Sequence, residues 1–171
     1  MEHEKPTQGL TGYKLPDLVM SLSDISRLRR ELEALDAYLR QEKLRNSGQP
    51  SARLPKMSRL VDELSDINKL NLLDDNQRQQ LTVFLTKLVT DAPVVNISFA
   101  VDPSSAFLLK IIQWFRRNIH QYILLQVGLE PSIAAGCVVR TTNQYHDFSL
   151  RAYFKEHKDE LIGSLGGTSH E

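Results

Sequence analysis

Apolar residues in the first half of the chain recur at helical spacing. Leu18, Leu22, Ile25, Leu28, Leu32, Leu35 and Leu39 fall three or four positions apart, on one stripe of a helix predicted over residues 16–45. The stripe is narrow and nearly all leucine, with charges between. It suits a coiled-coil seam or an ordinary amphipathic helix folded onto its own domain, and periodicity does not choose between them. Leu60, Val61, Leu64, Ile67 and Leu70 mark a second helix. Asp74-Asp75 opens a third, since carboxylates favour a helix N-terminus. Leu81, Phe84, Leu85, Leu88 and Val89 form its core-facing stripe.

The pattern changes at Asp91-Ala92-Pro93. Residues 94–100 are short and β-rich, as in a strand. Asp102-Pro103 reads as the start of a helix, with Asp as cap and Pro in the first turn. Phe107, Leu108, Ile111, Ile112, Phe115 and Ile119 predict its buried face, and Arg116-Arg117 its solvated end. Ile123, Leu125, Val127 and Leu129 alternate on one side of a strand that Glu130-Pro131-Ser132 breaks, because proline lacks the N–H a ladder needs. Residues 134–141 predict another strand, and Asn143-Gln144 a tight turn. Ser149 is placed to cap a last helix carrying Leu150, Tyr153 and Phe154 and running to about Leu165.

The expected fold is therefore α+β: a helical N-terminal half followed by a small β-α-β-β-α module of three strands and two helices. Ile111, Phe115, Ile123, Leu125, Val127 and Val139 are expected in the module's core. The chain divides into a flexible arm (1–15), a long amphipathic helix (16–45), a linker around Asn46-Ser47-Gly48-Gln49-Pro50-Ser51 (46–56), a helical segment (57–92), the α/β module (93–165) and a tail (166–171).

Charge removes several function classes. Lys plus Arg and Asp plus Glu number 21 each among 171 residues, without the basic excess of a nucleic-acid binder. No apolar run is long enough to span a membrane, and the polar, acidic start is no secretory signal. The single cysteine, Cys137, excludes an internal disulfide and reads as core filler. The histidines lack zinc-ligand spacing, His146-Asp147-Ser149 has triad residue types without triad geometry, and no phosphate-binding glycine loop is present. No catalytic, cofactor or metal site is expected.

One string is more specific. Pro131-Ser132-Ile133, Ala135-Gly136, Val138-Val139-Arg140, Thr142-Asn143 and Asp147-Phe148-Ser149-Leu150-Arg151 run without a gap to Phe154. This resembles the C-terminal part of the delta subunit of F-type ATP synthases, the relative of the mitochondrial oligomycin-sensitivity-conferring subunit. Ala135 stands where that family has a first glycine, Thr142-Asn143 where it has Gly-Asp, and Phe148 at a usual glycine. The family starts with six helices over about a hundred residues, an ordinary domain size; periodicity here gives three. The resemblance implies a non-catalytic subunit linking the catalytic head to the peripheral stalk in support of proton-driven ATP synthesis, cytoplasmic and peripheral on the inner face of the membrane. Its motif residues would be Gly136, Arg140, Asp147, Ser149 and Arg151, in a structural role. With long stalk helices as partner, the leucine stripe becomes the expected contact, through Leu28, Leu32 and Leu35. The alternative is a stand-alone interaction adaptor sharing the α/β module.

Overall fold

The computed structural model describes residues 12–45, 55–141 and 143–158. Their order is α1 (Leu22–Arg45), α2 (Arg59–Asn68), α3 (Asp75–Asp91), β1 (Val94–Phe99), α4 (Ser105–Asn118), β2 (Leu124–Leu129), a 3-10 turn (Pro131–Ile133), β3 (Gly136–Arg140), β4 (Tyr145–Ser149) and α5 (Leu150–Glu156). Helices fill the N-terminal half and a small mixed four-stranded sheet follows, an α+β arrangement. Most of the predicted linker and the tail lie outside the described residues.

The chain forms two compact units, and they are interleaved. Residues 109–124 belong with the N-terminal helices, while residues 94–108 and those from 125 onward make the second unit. The single cut expected near residue 93 therefore does not describe the division.

In the helical unit, α1 begins at Leu22 rather than at Pro16. Pro16 and Asp17 lie in a turn closed by the Val19 N–H on the Pro16 carbonyl, at 3.0 Å. The helix starts where Ser21 and Asp24 cap each other. The Asp24 carboxylate accepts the Ser21 N–H at 2.9 Å, and the Ser21 hydroxyl accepts the Asp24 N–H at 3.3 Å. This reciprocal pattern satisfies donors that the first turn leaves unpaired.

Ile25, Leu28, Leu32, Leu35 and Leu39 are all buried, and α1 packs on α3 and α2. Leu81, Phe84, Leu85 and Leu88 of α3 and Val61 and Leu64 of α2 complete the layer. Leu28, Leu32 and Leu35 are at most 2 % exposed, so their expected role as partner contacts is corrected: the row is core. One buried charge ties the same helices. Arg78 donates to the Leu72 carbonyl at 2.8 Å and to Asp36 at 3.0 Å, and it pairs with Asp75. Lys43 and Arg78 together hold the Asp75 carboxyl below its ordinary range.

The second unit carries the sheet, in order β2-β1-β3-β4. β3 runs antiparallel to both neighbours, with Ile97 opposite Val139 and Val139 opposite His146. The fourth strand is one more than expected, because residues 145–149 continue the hairpin before the helix begins. β1 is the strand expected there, and it alternates, with Val95, Ile97 and Phe99 buried. β2 does not. Leu124 and Leu125 are both buried, whereas Val127, expected in the core, is 39 % exposed, and Leu129, on the same alternating side, is 59 % exposed. Ser104, not Asp102, closes the first turn of α4, accepting the Phe107 N–H on its hydroxyl at 3.3 Å.

Truncating a row sealed on all sides leaves a cavity as well as losing transfer energy. Leu32→Ala should destabilise the chain by about 2–5 kcal/mol, read by urea unfolding. A cost below 1 kcal/mol, on the order of an exposed helix position, would show that the row is not sealed.

Candidate functional site: the hairpin and helix junction

Three of the five motif residues come together where β4 gives way to α5. Gly136 has φ of +92°, a region that side chains rarely adopt. An added Cβ would collide with the Phe148 carbonyl oxygen and stand 3.1 Å from the Ser149 Cα. The close approach of β3 to the last turn of the hairpin therefore requires glycine. Next to it the Ala135 carbonyl accepts the Leu150 N–H at 2.9 Å, fixing the first residue of α5 to the start of β3.

Asp147 and Ser149 finish the junction. The Asp147 carboxylate accepts the Ser149 N–H at 2.9 Å, and the Ser149 hydroxyl accepts the Ala152 N–H at 3.1 Å. Ser149 is thus the N-cap of α5, and it is buried. The Ser149 hydroxyl, then its N–H, with Arg151 nearby, hold the Asp147 carboxyl below the ordinary carboxylate range. Arg140 lies at the other end of the hairpin, with its guanidinium 5.6 Å from the centre of the Tyr145 ring. Arg151 is exposed in the first turn of α5. Leu28, Leu32 and Leu35 belong to the helical unit and form no part of this site.

The surroundings are apolar and uncovered. Tyr145, Phe148, Leu150, Tyr153 and Phe154 are exposed, and α5 has no buried residue. His146 stacks on Phe148 and His157 on Tyr153. Every ion pair found among the described residues lies in the helical unit. Cys137 is half-buried and its thiol is pushed up by that burial, which disfavours the nucleophilic thiolate. Among the described residues no cluster of His, Cys, Asp and Glu is placed to hold a metal ion, and no helix is long and apolar enough to cross a membrane. The chemistry on offer here is contact, through aromatic side chains and exposed cations.

Sequence reasoning missed Arg116. Assigned to a solvated helix end, it has a side chain only 7 % exposed, and its guanidinium binds the carbonyls of Pro16 and Val19 at 2.8 and 2.5 Å. The available signal was its position four residues after Ile112, on the apolar face of α4. No protein-family model matches the chain, and no curated protein matches it.

Two glycines separate backbone need from space. Gly136→Ala combines positive φ with a backbone clash and should cost at least about 1–3 kcal/mol. Gly128→Ala meets only the Ser98 hydroxyl, at 3.5 Å, and should be nearly silent. Hydrogen exchange of the β3 and β4 amides reads both, and equal protection in the two variants would refute the packing described.

The cap has an acid signature. Because the folded Asp147 carboxyl releases its proton more readily than the unfolded one, its contribution is complete above the unfolded value of about 3.9. That contribution disappears as pH falls through the lower folded value. Asp147→Asn should therefore flatten the loss of hairpin protection below about pH 4, and Ser149→Ala should cost about 0.5–2 kcal/mol at neutral pH.

Proposed function

We propose that the chain is a non-catalytic peripheral-stalk subunit of an F-type ATP synthase, tying the catalytic head to the stalk so that rotation of the proton-driven rotor is resisted. The observation that carries this reading is the gapless string from Pro131 to Phe154, together with the order β1-α4-β2-β3-β4-α5 on which it lies. The exposed aromatic residues of β4 and α5 support a binding role, since soluble monomers rarely leave contiguous apolar surface open. With the leucine row sealed in the core, that surface replaces it as the contact for stalk helices. On this reading the protein lies on the cytoplasmic side of the membrane, its partners are the other synthase subunits, and it needs no cofactor or nucleic acid.

A second reading is a stand-alone interaction adaptor. Two observations favour it. Gly136, Asp147 and Ser149 each have a local backbone task that any such junction would impose. Among the described residues the helical unit also has three helices before the first strand where the family has six.

Affinity capture of the full-length tagged chain from native membranes separates the two. Recovery of head and stalk subunits is expected from the synthase reading, and capture without any synthase subunit rejects it. Phe148→Ser, Tyr153→Ser and Phe154→Ser together should reduce that recovery by about tenfold, the effect of losing roughly 1.4 kcal/mol of binding, while the urea midpoint of the helical unit holds.

A further inference from the structure

We infer that the helical unit contains a recognition groove for a peptide that turns at its Pro-Asp pair, filled in this structure by the chain's own residues 13–19. The walls come from α2, α3, α4 and the loop before β2. Asn68 brackets Lys14: its carbonyl oxygen accepts the Lys14 N–H at 2.7 Å, and its amide nitrogen donates to the Lys14 carbonyl at 2.9 Å. The Tyr122 hydroxyl donates to the Tyr13 carbonyl at 2.9 Å. Arg116, with its side chain 7 % exposed, takes the carbonyls of Pro16 and Val19. Gln113 donates to the Asp17 carboxylate at 2.8 Å, and Arg116 stands 3.5 Å from its other oxygen.

Helices and sheets satisfy backbone with backbone. Here four carbonyls and one N–H of a segment outside helix and sheet are satisfied by side chains of other elements, as a bound peptide's are. Side-chain selection is sparse and local. The Tyr13 ring meets Phe84 edge-on at 5.2 Å, and Phe84 meets Tyr122 in the same way at 5.6 Å. Pro16 and Val19 are buried, and Asp17 supplies the charge. The ligand class is thus a segment with an aromatic residue, then a turn at Pro-Asp three and four positions on, then a β-branched residue. The capping box at Ser21 and Asp24 closes the N-terminus of α1 without help from this segment. Residues 13–19 can therefore leave while α1 stays folded, and the same segment of a second copy is the occupant we assign in trans. This inference is independent of the synthase reading.

Hydrogen exchange on the unmodified full-length chain tests separability. Amides of residues 14–19 should exchange through an opening that leaves α1 and α3 protected. Exchange of these amides only at the rate of the α1 and α3 core overturns the proposal. Recognition is tested with a fluorescent peptide of residues 12–20. In the unmodified chain the tethered segment competes at an effective concentration on the order of millimolar. Full-length Asp17→Lys, which sets a cation against Arg116, should bind the peptide at least about tenfold tighter than the unmodified chain does. Adding Arg116→Gln should abolish that gain, and a scrambled peptide should show none. Binding indifferent to Arg116, or equal for the scrambled peptide, overturns the groove. Tyr13→Ala serves as a second releasing variant should Asp17→Lys unfold, and the exchange experiment requires no variant.

Discussion

A helix of 24 residues with a single row of branched aliphatic side chains cannot leave that row in water. Covering it is the constraint on which the helical unit rests. α3 lies against α1 and supplies Leu81, Leu85 and Leu88, and α2 adds Val61 and Leu64. Each large side chain fully buried this way contributes roughly 1.5–3 kcal/mol, far more than the exposed i,i+4 ion pairs along α1. The same closure permits Arg78 to be buried, because its guanidinium reaches Asp36 of α1 as well as Asp75 and a carbonyl of its own neighbourhood. An isolated guanidinium there would be costly; a paired one holds two helices in register.

The periodicities of three and four made α1, α2 and α3 legible, and the stripe of α3 is buried almost as written. What periodicity does not contain is the identity of the covering partner. A leucine row reads the same whether its neighbour comes from the same chain or another, and Leu28, Leu32 and Leu35 had to be placed by the fold. The start of α1 was misread for a related reason. Pro16-Asp17 is a good helix opening by local chemistry, but Ser21-x-x-Asp24 is a better one, and Arg116 draws the preceding carbonyls away from helical geometry. That pull comes from about a hundred residues along the chain, beyond the reach of any local signal.

In the second unit the turns were more legible than the faces. Pro131 ends β2 as its missing N–H demands, and Ser149 caps α5 as its position suggested. Alternation failed in β2, where Val127 and Leu129 are exposed while Leu124 is sealed. Alternation identifies a burying face only when something covers its whole length. Gly136 shows the opposite limit of reading. Its glycine is required by a carbonyl from a strand that sequence reasoning did not distinguish from a turn.

Among the described strands, β4 is the last in the sheet. Because the Leu150 N–H goes to Ala135 across the ladder, the Ser149 N–H points away from β3, towards the side where a further strand would join. The Asp147 carboxylate has already taken that donor. A foreign strand approaching this border would meet a fixed negative charge in place of an open N–H. The cap that starts α5 therefore also removes one open donor from this edge and sets a charge in its place, a feature that disfavours pairing with a foreign strand at that position.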